Sequence, residues 1–183
     1  MNTPRQGSVA RVAAAARTVG LAIDIMTLSQ MTRTAEQAAQ ACACSSGQIV
    51  KSLVFARADT HELMLMLVAG DRRLDLEVTG ARLGVSLVRA DARRVREGTG
   101  FAIGGVAPIG HLSPLPVYMD PSLLMHDRVW AAAGAPDTIF AVEPSRLREV
   151  VGAHLLPGDC CPIAQAGPAI PDHPSKRALD DRD

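Results

Sequence analysis

Two apolar runs separated by a four-residue turn set the tightest limit on how this chain folds. They are IVKSLVFAR at 49–57 and ELMLMLVAG at 62–70, joined by ADTH. Both are rich in β-formers and too short for buried helices, and a turn sequence and Gly70 bound the second. They read as a β-hairpin. A strand apolar at consecutive positions must be covered on both faces, so the hairpin belongs in the interior of a layered fold. One residue breaks the pattern. Lys51 stands alone among apolar neighbours, and lysine is seldom fully buried. Either its stem lies along the sheet and its ammonium reaches water, or a rigid strand holds the cation at the rim of a pocket.

The flanking segments alternate between helix and strand. Ser8 is a candidate cap for a first helix over about 9–19 that ends at Gly20, and LAIDIM reads as a strand. Thr34 with Gln37 three residues later forms a capping box for an Ala-rich helix. LDLEVTGARLG closes a helix at Gly84, and VSLVRA follows as a strand. Asp91 caps the arginine-rich ARRVREG, and PVYMD reads as another strand. Pro121 and Pro144 mark first helical turns. VWAAAG and TIFAVE, joined at GAPD, form a last pair of strands. Hairpins among helices give an α/β chain of the α+β type, a mixed sheet with helices packed on it.

The 183 residues suit one domain, drawn as 1–164, with the proline-rich, charged segment 165–183 as a disordered tail. Aromatic residues are only 3% of the chain, so aliphatic side chains and methionine must build the core. Nineteen basic and nineteen acidic residues cancel, which excludes a general polyanion binder and argues against DNA as a partner. A local cluster at Arg89, Arg93, Arg94 and Arg96 leaves room for contacts to RNA phosphates. No apolar run is long enough to span a membrane, and no leader is evident, so a soluble cytoplasmic protein is expected. Cys42 and Cys44, and Cys160 and Cys161, lack the spacing of a metal knuckle or a redox centre. Neither a metal nor a cofactor is expected.

TGFAIGGVAPIGH, at 99–111, holds four glycines and a proline. It lacks the lysine of a phosphate-binding P-loop and the placement of a dinucleotide fingerprint. Gly104, Gly105 and Gly110 permit positive φ and close approach to the backbone. Successive amide N–H groups in such a bend converge on an oxygen that carries or develops negative charge.

TRTAEQAAQACACSSGQIVKSLVF and VREGTGFAIGGVAPIGHLSPLPVYMD, followed in order by VWAAAG and EPSRL, resemble the YbaK/ProX/EbsC family over residues 20–150. Members of that family are free-standing relatives of the editing domain of bacterial prolyl-tRNA synthetases. The resemblance implies a mixed, curved, barrel-like sheet surrounded by helices. It also implies a metal-independent aminoacyl-tRNA deacylase that cleaves the ester between a wrong amino acid and its tRNA. The family's lysine falls on Lys51, and its G-x-x-x-P loop falls on Gly104-Gly105-Val106-Ala107-Pro108.

The implied roles follow. Amides at Gly104 and Gly105 would stabilise the oxyanion, and Lys51 would hold the terminal phosphate or the carbonyl region. Thr32, Arg33, Val106, Pro108, Gly110 and His111 would line the substrate site. The reading requires the Lys51 ammonium and the loop amides to face one cavity. Partners would be an aminoacyl-tRNA and, as a further candidate, a synthetase. The competing reading keeps the pocket without turnover, as a module that binds an amino acid or an aminoacyl-tRNA end.

Overall fold

The computed structural model of the chain describes residues 4–29, 32 and 34–164. Helix α1 (Pro4–Thr18) begins before Ser8, which therefore lies inside it and does not cap it. Proline lacks the N–H that a first turn leaves unpaired, so the helix starts at Pro4. The C-terminal end is as expected: Gly20 takes φ +65°, and Leu21 N–H returns to Ala16 O at 2.9 Å. Only the last two residues of LAIDIM enter a strand, the short β1 (Ile25–Thr27).

Thr34 caps α2 (Ala35–Ala41) by accepting the Gln37 N–H. The hairpin forms as β2 (Ile49–Arg57) and β3 (Leu63–Ala69), paired from Val50↔Ala69 to Ala56↔Leu63. Next come α3 (Leu76–Leu83), capped by Asp75 and closed by Gly84 at φ +67°, and β4 (Leu87–Arg89). Asp91 caps α4 (Ala92–Thr99), and the glycine loop leads to β5 (Val117–Met119). Pro121–Met125 is a 3-10 turn capped by Asp120. Strands β6 (Val129–Ala132) and β7 (Thr138–Val142) pair antiparallel, α5 (Pro144–Val151) starts on its proline, and β8 (His154–Leu155) closes the sheet.

The sheet is mixed and runs β1-β7-β6-β2-β3-β5-β8, with β4 on β2. It is open, so its curvature does not close a barrel. β2 lies at its centre, and in its neighbour β3 residues Met64 to Ala69 are all buried. One face carries the main core: Val50, Leu65, Leu67, Phe101, Val106, Ala107, Ile109 and Phe140, with Val12 and Ala16 of α1. The other face carries Phe55, Met64, Met66 and Val68 with Cys160 and Cys161. Covering of both faces is what the unbroken apolar run requires.

β2 changes neighbour partway along one edge. It pairs parallel with β6 at Ile49 and Val50 and antiparallel with β4 at Phe55–Arg57. Residues 51–54 have no strand partner on that edge among the described residues, while β3 covers the other. No helix among the described residues is long and apolar enough to cross a membrane.

Candidate functional site

Lys51 sits where that edge opens. Strand alternation sends its side chain to the face of Leu53 and Phe55, opposite its register partner Val68 in the second core. Its Nζ donates to Gly70 O at 3.1 Å and to Arg72 O, in the turn that ends β3. The side chain is half-buried, and burial pushes its pKa down; Glu36, Asp71, Cys161 and Asp120 partly offset this. The close turn requires Gly70, where a Cβ would lie 2.2 Å from Ser46 O and 2.9 Å from Ala35 Cβ.

The glycine loop is built by different constraints at each glycine. Gly100 ends α4 at φ +76°. Ala102 to Gly105 form a turn closed by Gly105 N–H on Ala102 O at 3.0 Å, with Gly104 third at φ +90°. A Cβ on Gly104 would meet nothing within 4 Å, so only its backbone angle demands glycine there. A Cβ on Gly105 would lie 2.9 Å from Ala135 Cα, so there it is the close approach to the β6–β7 turn that demands it.

The Gly105 amide is spent inside the turn. The amides of Gly104, Val106 and Ala107 meet no acceptor among the described residues. Val106, Ala107 and Pro108 are buried, and native structures rarely leave buried N–H groups unpaired. His111 Nε2 donates to Ala107 O at 2.8 Å, and its ring stands edge-on to Phe101. Burial pushes its pKa down; the Ala107 carbonyl opposes this and the Arg11 charge adds to it. A neutral imidazole with Nε2 committed to a carbonyl braces the loop.

Val106, Ala107 and Ile109 pack on the Val50 face, whereas Lys51 points to the other. The loop and the ammonium therefore do not share a face of β2, which corrects the expectation that both face one cavity. The strand β6 leaves β2 after Ala131, and Gly105 rests on Ala135 just beyond β6. Thr32 is half-buried ahead of α2, whose Glu36 acts on Lys51, and Arg33 lies outside the described residues.

Two residues escaped the sequence reading. Ser52, opposite Leu67 on the main-core face, has a buried Oγ without a partner among the described residues. Its signal is faint, a lone hydroxyl in an apolar run. Arg11 of α1 reaches the carbonyls of Gly100 and Gly110, and nothing in the sequence links these positions.

The arginine cluster is partly engaged. Arg93 pairs with Glu97 at 2.7 Å and Arg94 donates to His61 O, while Arg89 and Arg96 are exposed. The four cysteines are free, and burial pushes the Cys42 thiol up to about 11 and Cys161 to about 12. Among the described residues no group of three or more His, Cys, Asp or Glu side chains is placed to hold a metal.

Residues 30–150 match the model of the aminoacyl-tRNA editing domain. The uncharacterized protein YwhH of Bacillus subtilis is 32% identical over 126 residues, 69% of this chain and 80% of that protein. The proline–tRNA ligase of Treponema denticola is 36% identical over 119 residues, and the match spans only 20% of that longer protein. The crystal structure of a protein proposed to be a trans-editing enzyme for prolyl tRNA synthetase superposes with a TM-score of 0.77 at 42% identity. That superposition covers 87% of this chain and 98% of the other. With the matched segment spanning the hairpin, the glycine loop and β7, the chain belongs to the aminoacyl-tRNA editing domain family.

Proposed function

We propose that the chain hydrolyses the ester bond of a mischarged aminoacyl-tRNA, acting in trans on a tRNA charged by a synthetase. The observation that carries this reading is that the amides of Gly104, Val106 and Ala107 meet no acceptor among the described residues, with Gly104 at an exposed position of the bend. An acyl oxygen bonded to them is stabilised most when it turns anionic, and one such donor is worth about 3 kcal/mol.

Water attacks the ester carbon, the carbonyl electron pair moves to oxygen, and the loop amides hold the oxyanion. Collapse expels the ribose oxygen, which takes up the proton released by the attacking water. The products are free amino acid and uncharged tRNA. An ester needs less assistance than an amide, so positioning and electrostatics suffice without a dedicated base. The reading uses no metal and no cofactor.

Lys51 spends two of its three protons on Gly70 O and Arg72 O. In this reading the third reaches past the open edge of β2 to the phosphate of the tRNA end. Thr32 and Arg33 border the entrance, Pro108 and His111 stiffen the loop, and Gly110 turns the chain out of it. Exposed Arg89 and Arg96 remain for tRNA phosphates.

The test is a panel of mischarged tRNAs, alanyl- and cysteinyl-tRNA for proline among them, with Lys51→Ala as the control. Release of one amino acid well above the rate in buffer, lost in the control, is the expected result. Saturable binding of a panel member without product would favour the non-catalytic module.

A further inference from the structure

We propose that Arg11 is a positioning residue that clamps both ends of the glycine loop, so that α1 sets the geometry of the loop amides. This rests on the deacylase reading for its effect on rate, but not for the clamp itself. α1 lies outside the segment matched by the editing-domain model, which begins at residue 30.

Arg11 Nε donates to Gly110 O and Nη2 to Gly100 O, both at 2.8 Å. One planar guanidinium thus bridges carbonyls at the two ends of the loop, which a single ammonium cannot reproduce. The guanidinium carbon lies 4.6 Å from the centroid of the Phe101 ring, which fixes its plane from one side. Gly100 is the C-cap of α4, so the cation also meets the negative end of that helix.

The glycines make room for this contact. A Cβ on Gly100 would lie 2.6 Å from Arg11 Nη2, and one on Gly110 would lie 3.3 Å from Arg11 O. α1 also touches the turn that supports Gly105, since a Cβ on Gly134 would lie 2.9 Å from Ser8 O. Val12 and Ala16 root the helix in the main core. Among the described residues the backbone ties the loop ends through longer bonds, Leu112 N–H to Thr99 O at 3.3 Å and Ser113 N–H to Gly98 O at 3.2 Å.

The experiment compares wild type, Arg11→Met and Arg11→Lys as full chains. Hydrogen exchange is read at the bonded amides of Phe101, Gly105, Leu112 and Ser113 and across β2 and β3. Steady-state kinetics are read on whichever mischarged tRNA the wild type cleaves. In Arg11→Met the four loop amides should exchange about tenfold faster or more while the strands keep their rates. Its kcat should fall about 10- to 100-fold, with KM within about threefold, as expected for misplaced rather than missing contacts. Arg11→Lys, which retains charge but not the bridge, should recover only part of both losses and serves alone if Arg11→Met does not fold.

Wild-type exchange at the four amides, or faster exchange spread evenly over the sheet, would overturn the clamp. Faster loop exchange with unchanged kcat would overturn its role in positioning. If the wild type cleaves no tRNA the deacylase reading fails, and the exchange measurement still decides the clamp.

Discussion

Lys51 and Ser52 are neighbours in the chain that point to opposite faces of β2, one toward the Gly70–Arg72 turn and the other toward the core that carries the glycine loop. Both lie in the stretch 51–54 of β2, whose second edge no strand covers among the described residues.

For Lys51 this placement separates two roles by experiment. Replacement by Met leaves the carbonyls of Gly70 and Arg72 without their donor, a loss of about 1–3 kcal/mol in chemical denaturation. If the third ammonium proton also holds substrate, kcat/KM for the cleaved tRNA falls by about 100-fold or more, the scale of removing one partner of a desolvated charge pair. A stable fold with an unchanged rate would confine Lys51 to closing the turn.

Ser52 behaves in the opposite way. Its hydroxyl is buried without a partner, so Ser52→Ala removes an unmet desolvation cost and should leave stability unchanged or raise it by up to about 1 kcal/mol. A loss of stability in the thermal unfolding midpoint would show that the hydroxyl is satisfied in solution.

What could be read from the sequence was set by local chemistry. The hairpin was legible because two apolar runs flank a turn, and Thr34, Asp91, Pro144 and Gly84 announced helix ends by known capping geometry. The start of α1 was not, because Ser8 offers a plausible cap inside the helix and masks the signal of Pro4, which marks the true first turn. β8 is two residues long and exists only through its pairing with β5, which no pattern in the chain encodes. At the site, residue identity outran orientation. A strand apolar on both faces offers no alternation to say which way Lys51 points, and the Arg11 contacts span 89 and 99 residues.

Gly104 and Gly105 should respond differently to alanine despite their adjacency. Gly105→Ala drives a Cβ into the Ala135 backbone, which has no flexible end to move aside, and should cost about 2–4 kcal/mol in urea denaturation. Gly104→Ala meets no atom and is opposed only by its φ of +90°, at about 1–2 kcal/mol. Equal losses would mean that the turn resting on Ala135 does not persist in solution.

His111 gives the fold a pH dependence of definite sign. Burial lowers its pKa in the folded protein below the ordinary value of 6.5, while the unfolded chain titrates at that ordinary value. Below pH 6.5 the unfolded state therefore binds more protons than the native state, so stability falls as pH falls. The contribution is fully present above 6.5 and is lost progressively until the folded imidazole itself protonates. Protonation leaves the Nε2 bond to Ala107 O intact but places a cation beside the Arg11 guanidinium in a buried loop. Urea unfolding between pH 7.5 and 5 should show a declining free energy in the wild type. The decline should be shallower in His111→Gln, whose side chain does not titrate and retains an N–H donor. Identical slopes in the two proteins would assign the acid sensitivity elsewhere and remove His111 as the titrating brace of the loop.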